Sequence, residues 1–172
     1  MKRLWAPWRM SYIAGIKSKG CFLCDMFNSR ADRSHLIIHR GATCVLVMNR
    51  YPYNGGHLMV APVRHLDSFD AMTDAEMLEM MKMTRLAMQA LRKVCHPHGF
   101  NVGINLGEAA GAGLKDHIHT HVVPRWNGDT NFMPVFADIK VMPQTLEEMR
   151  DQLVAAMKQT PTRGKRKLRK KP

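Results

Sequence analysis

Two spacings of hydrophobic residues divide the chain. In "HLIIHR" (35–40), "TCVLVMN" (43–49), "HLMVAPV" (57–63) and "FNVGINLG" (100–107) the apolar residues alternate or run together over a few positions, and each segment is bounded by glycine, proline or asparagine. That pattern predicts short strands, with the first two joined at Gly41-Ala42, a turn over "YPYNGG" (51–56), and Pro62 near the end of the third. From residue 73 the interval changes to three and four. Met77, Met81, Thr84, Met88, Leu91 and Cys95 recur at helical spacing and predict an amphipathic helix that buries this stripe. Thr73 and Glu76 have the capping-box arrangement at its start, while Pro97 and Gly99 end it. A second helix is expected from near Thr145, again boxed by Glu148, with Leu146, Met149, Leu153 and Met157 inward.

The fifth strand is expected in "DHIHTHVVPRW" (116–126), ending at Pro124. His117, His119 and His121 occupy every second position there, so a regular strand would range all three imidazoles on one face. Strands grouped ahead of and behind a long helix imply an α+β domain with mostly antiparallel pairing. The expected organisation is an N-terminal segment over 1–34, irregular because Pro7, Gly15 and Gly20 interrupt it, a domain over 35–158, and a basic tail over 159–172.

Charge is unevenly placed along this pattern. The formal net charge of +12 includes Arg163, Lys165, Arg166, Lys167, Arg169, Lys170 and Lys171 in a tail without acids. The tail reads as a solvated end, with contact to nucleic acid as the alternative. The rest of the chain is moderately basic, which suits an anionic substrate such as a nucleotide. No apolar run approaches the roughly 20 residues of a membrane span, so no membrane partner and a cytoplasmic address are expected. Cys21 and Cys24 form a C-x-x-C pair, whereas Cys44 and Cys95 stand alone and read as small buried hydrophobes.

A row of imidazoles is chemistry rather than packing. Neutral imidazole is a nucleophile and a proton carrier near neutral pH, and neighbours allow one ring to attack while another donates a hydrogen bond. The loop Gly107–Gly113 runs straight into the row, and its backbone N–H groups are suited to phosphate oxygens.

The stretch His117-Ile118-His119-Thr120-His121-Val122-Val123 resembles the signature of the histidine triad (HIT) superfamily of nucleotide hydrolases and transferases. "WAPWRMSYI", "VMNRYPYNGGHLMVAPVRH", "PHGFNVGINLG" and "HVVPRWNGDTNF" extend the resemblance to the branch that contains diadenosine tetraphosphate phosphorylases. It implies a HIT-like fold, a five-stranded sheet with two helices, and a homodimer that joins two sheets into ten strands. It also implies cleavage of a dinucleoside polyphosphate at the α-phosphate through a nucleotidyl-histidine on His119. His121 would hydrogen-bond the phosphoryl group or leaving oxygen, Asn105 would contact the phosphates, and Asn49 the ribose. Gly111 and Gly113 would line the phosphate loop, and Trp126 the cleft; Trp5 and Trp8 suit packing or a dimer seam. His57 matches a recurrent histidine that reads as structural. One departure is Gly113, where the branch usually has a serine, so water and phosphate both stay open as acceptors.

The resemblance further implies structural zinc on Cys21, Cys24, His65 and His117, a donor set that suits a closed tetrahedral site. Two other classes remain on the residues alone. One is a nucleotide- or nucleic-acid-binding module with little turnover, anchored by the tail. The other is a redox role for Cys21 and Cys24.

Overall fold

The computed structural model describes residues 20–129 and 144–159. Trp5, Trp8 and the basic tail lie outside them. Helix α1 (Phe22–Asn28) comes first, then strands β1 (Ile37–Arg40), β2 (Cys44–Met48) and β3 (Leu58–Pro62). The long helix α2 (Asp74–Cys95), strands β4 (Gly99–Ile104) and β5 (Thr120–Arg125), and helix α3 (Leu146–Lys158) complete the order. The strands form one sheet in the order β1-β2-β3-β5-β4, antiparallel at every pairing.

Every residue of β2 and β3 is buried, so both faces of the sheet's centre are covered. On one face Leu46, Met48, Leu58, Val60 and Val122 meet Met80, Met83, Ala87 and Leu91 of α2 and Leu153 of α3. On the other, Val45, Val47, Met59 and Ala61 meet Leu23 and Phe27 of α1. The expected architecture therefore holds with one addition, a third helix inside the segment read as irregular. Helix α1 has seven residues and no side-chain cap. A helix of two turns is marginal on propensity alone, and Leu23 and Phe27, four apart, stabilise it only by packing on the sheet.

The expected stripe of α2 holds at Thr84 and Leu91, which are buried, and at Met77, Met88 and Cys95, which pack partly buried on the core. It does not hold at Met81, and its centre is turned toward Met80, Met83 and Ala87. Met80, Met83, Thr84, Ala87, Ala90 and Leu91 are buried, whereas Met81 is 64% exposed. Methionines lie on two faces of this helix, so spacing offers two stripes of similar strength. Ala87 and Ala90 decide between them, because small side chains let the helix lie closer to the sheet.

Strand β5 continues past Pro124 to Arg125, with Pro124 opposite Phe100 of β4. The Pro124 carbonyl accepts from the Asn54 amide at 3.2 Å, on the side where pairing with β3 has already ended at Val122. The missing proline N–H therefore costs no ladder bond.

Both capping boxes form, at Thr73–Glu76 and Thr145–Glu148. Glu76 is buried and also takes Arg64 in a two-point ion pair, Nε to Oε1 and Nη2 to Oε2, each at 2.7 Å. Arg64 first, then the Thr73 hydrogen bonds, hold the Glu76 carboxyl down to about 2, against the opposing effect of burial. A carboxyl lowered in this way contributes stability above its ordinary range near 4.5 and loses it as pH falls toward about 2. Glu76→Ala should cost about 2 kcal/mol at neutral pH, a modest value because half-exposed Arg64 is screened by solvent. In urea unfolding the wild-type advantage over the variant should shrink between neutrality and about pH 3. An advantage that does not change with pH would refute this account.

Candidate active site

The antiparallel pairing of Leu58 with Val122 and Val60 with Thr120 sets the residues after β3 against those before β5. His65 and His117, far apart in sequence, meet there, with ring centroids 5.2 Å apart. Helix α1 brings the thiols to the same place. Cys21 is its N-cap and Cys24 lies in its first turn, so both face the same end of the sheet. Cys21 Sγ is 3.2 Å from His117 Nδ1, and Cys24 Sγ is 3.4 Å from His65 Nδ1 and 3.6 Å from His117 Nδ1. All four ligand atoms lie within 4.8 Å of one another. A tetrahedral zinc ion with ordinary bond lengths separates its sulfur and nitrogen ligands by about 3.6 Å. The group is therefore positioned to hold a metal.

The second nitrogen of His117 supports that reading. Its Nε2 donates to the Pro62 carbonyl at 2.8 Å, which leaves Nδ1, the nitrogen facing the thiols, as the one with a lone pair. His117 is fully buried, with Phe27 edge-on at 5.9 Å. Burial pushes its imidazole below the ordinary histidine range, so the neutral form that a metal needs is favoured. Burial, then neighbouring Cys21, push the Cys24 thiol up to about 11.

The triad is not one regular strand. β5 begins at Thr120, so only His121 belongs to it, while His117 and His119 precede it. The chain leaves the ladder here because Ile118 N–H bonds to the Leu66 carbonyl at 2.7 Å and His117 turns to the cysteines. Alternation still sorts the side chains. Ile118 and Val122 enter the core beneath α2, and His121 sits opposite Met59, whose side chain belongs to the other face. His119 and His121 stand together, ring centroids 4.7 Å apart and nearly perpendicular. His119 is only 7% exposed, and burial lowers its affinity for a proton. Its Nδ1 donates to the His117 carbonyl at 2.8 Å, so the lone pair is on Nε2.

Next to His121 lies a cavity of about 370 Å³. Of the expected site residues only His121 and Asn105 line it; Tyr53, Asn54, Asn101, Arg125 and Asp129, which the sequence reading did not select, line it as well, whereas His119 does not. Arg125 clamps Asp129 through Nε at 2.6 Å and Nη2 at 2.9 Å, and reaches Asn101 at 2.8 Å. The Arg125 guanidinium holds the Asp129 carboxyl far below the usual carboxylate range. The four-residue spacing of Arg125 and Asp129 was readable in sequence, but no strand-end turn was predicted to join them.

Asn105 is on this cavity, and its amide extends 3.5 Å toward the Gly111 carbonyl. Gly111 closes the short 3-10 turn Glu108–Ala110 with φ of 81°, a conformation that favours glycine, and Gly113 is exposed beyond it. Asn49 lies at the turn after β2, where its side chain accepts from Tyr51 N–H and approaches His57. Trp126 is not among the residues that line this cavity; its indole N–H donates to the Cys95 carbonyl at the end of α2.

The HIT domain family matches residues 30–128. The chain belongs to the HIT family. An AP-4-A phosphorylase of Mycobacterium tuberculosis is 42% identical over 158 residues, 87% of this chain and 81% of that protein. A bis(5'-nucleosyl)-tetraphosphatase of Schizosaccharomyces pombe is 28% identical over 61% of this chain and 57% of its own length. Among solved structures, a zinc-bound histidine triad family protein from Mycobacterium smegmatis superposes with a TM-score of 0.66 at 26% identity, covering 81% of this chain and 94% of that one. This HIT domain thus carries the five-stranded antiparallel sheet of its relatives. Among its described residues no helix is long and apolar enough to cross a membrane.

Proposed function

We propose that this HIT protein is a nucleotidyl transferase that cleaves dinucleoside polyphosphates of the diadenosine tetraphosphate type, with phosphate as the final acceptor. The observation that supports the reading is the 2.8 Å hydrogen bond from His119 Nδ1 to the His117 carbonyl, which leaves a lone pair on Nε2, the nucleophile in this reading. In the first step Nε2 bonds to the α-phosphorus as the bond from that phosphorus to the bridging oxygen breaks, and ATP leaves. In the second step a phosphate oxygen bonds to the same phosphorus, the P–N bond breaks, and ADP is released. His121 hydrogen-bonds the phosphoryl or leaving oxygen, with Asn105 and the backbone of Gly111 and Gly113 on the phosphate chain. Asn49 toward the ribose completes the assignment, and Trp126, tied to the Cys95 carbonyl, is left out of it. Phosphate is preferred over water as acceptor because the phosphorylase relative shares 42% identity across most of both chains.

In the same reading Cys21, Cys24, His65 and His117 hold zinc, supported by donor distances near those of a tetrahedral site and by the zinc-bound relative. Zinc would be structural, because four protein donors leave no open position. A homodimer joined along β4 is part of the proposal, since β4 is a sheet edge with Asn101, Val102 and Gly103 exposed.

Purified full-length protein incubated with diadenosine tetraphosphate should give ADP plus ATP when phosphate is present. AMP plus ATP, independent of phosphate, would transfer the assignment to hydrolysis. No turnover in either condition by zinc-loaded protein would refute the enzymatic reading in favour of a binding module.

A further inference from the structure

The cavity beside His121 extends beyond the groups that act on the phosphate chain. Of the residues given a task in the reaction, His121 and Asn105 line it, whereas His119 and Asn49 do not. An in-line displacement places the leaving group opposite the nucleophile. A space bordered by His121 but not by His119 is therefore on the leaving side. Its volume of about 370 Å³ is at the lower end for ligand cavities, room for one ring system with its sugar rather than for a whole dinucleotide. Gly103 pairs with His121 across β4 and β5, and a Cβ added there would meet nothing within 4 Å, so the floor is open.

One hydrogen-bonded chain, Asn101–Arg125–Asp129–Asn54, forms a wall of this cavity and fixes which amide atoms remain for a ligand. Arg125 Nη1 can only donate, so the Asn101 atom 2.8 Å from it is Oδ1, and the amide Nδ2 is left as a donor. Asn54 is the reverse. The Pro124 carbonyl at 3.2 Å and the ionised Asp129 carboxylate at 2.9 Å can only accept. Asn54 Nδ2 therefore gives both its hydrogens to them, and Oδ1 is left as an acceptor. Arg125 is the one lysine or arginine on the cavity, and Asp129 neutralises it through contacts of 2.6 and 2.9 Å. A wall without free positive charge does not suit a phosphate chain, which has no hydrogen to give to Asn54 Oδ1. A neutral ring with a donor and an acceptor on one edge suits it, and Tyr53 and Val123 add aromatic and apolar surface.

We infer that this cavity is a subsite for the second nucleoside, the one that departs with the triphosphate, with Asn101 Nδ2 donating to its base and Asn54 Oδ1 accepting from it. The departing role rests on the nucleotidyl-transfer reading; the nucleoside pocket does not. Asn54 and Asn101 then sort substrates by what the leaving end of the phosphate chain carries. Pairing of two copies along β4 would use the backbone of that strand and leave the Asn101 side chain on the sheet face.

Two measurements on the full-length protein test it. In NMR of the side-chain amides, adenosine should shift the Asn101 resonances saturably, and inorganic phosphate should leave them in place. Asn101 is exposed on an edge strand, so Asn101→Leu should remain folded. The variant should lower kcat/KM on diadenosine tetraphosphate by about 5- to 10-fold, the effect of one lost hydrogen bond. On adenosine tetraphosphate, which lacks the second nucleoside, kcat/KM should change by no more than about twofold. Asn101 resonances that ignore adenosine, or that respond to phosphate alone, overturn the proposal whatever the variant does. So does Asn101→Leu with undiminished activity on diadenosine tetraphosphate, or with an equal loss on both substrates. A wild-type protein whose Asn101 responds to adenosine but which turns over neither substrate would refute nucleotidyl transfer and leave the nucleoside pocket standing.

Discussion

His119→Ala should abolish turnover of diadenosine tetraphosphate, lowering kcat by at least about 10⁴-fold. The expected loss is large because the substitution removes the atom that bonds to phosphorus, so no stepwise route remains. Circular dichroism should check that the variant is folded, because His119 is buried. The companion observation is chemical. Wild-type protein quenched in acid-free conditions after mixing with labelled substrate, without phosphate, should retain label on protein, and His119→Ala should retain none. His119→Ala within tenfold of wild type would sink the covalent reading.

The second large effect is expected at the cysteines. Cys24→Ser should lose stoichiometric zinc and lower the thermal midpoint by roughly 10 °C. That figure follows from a ligand held at about a thousand times its dissociation constant, which stabilises a fold by about 4 kcal/mol, at about 2–4 °C per kcal/mol for this size. Cys24 spans the site, approaching both His65 and His117, so it ties α1 to the ends of both β3 and β5. Activity should fall as well, by about 10- to 100-fold, because the carbonyl that orients His119 belongs to His117. Metal analysis and a thermal melt check the first part, and steady-state kinetics the second. A wild-type protein without zinc, or one whose melt is unchanged by chelation, would leave the four residues as a packed thiol cluster. That outcome would not affect the test of His119.

Several elements were legible before any coordinates. The five strands and the two capped helices follow from short apolar runs, turn residues and capping boxes, all of which act locally. The four cysteine and histidine positions that meet near α1 were also named from the chain, through the resemblance. What escaped shares one cause. Helix α1 is too short to declare itself, and forms because Leu23 and Phe27 find the open face of the sheet. The buried stripe of α2 was chosen by how closely Ala87 and Ala90 approach that sheet, which spacing does not encode. The pairing of Arg125 with Asp129 needed the turn after β5, and the contacts of His57 needed the loop that brings the Asn49 amide and Tyr53 N–H to its ring.

The order of elements, the chemistry available and the family were written in the chain, because side-chain periodicity and residue type are local properties. The tertiary structure alone decided what each histidine faces. Each of the three triad rings has a different neighbour, a thiol pair for His117, a carbonyl for His119 and a second imidazole for His121. A tautomer is set by the group on the far side of the ring, and for His117 and His121 that group comes from a distant part of the sequence.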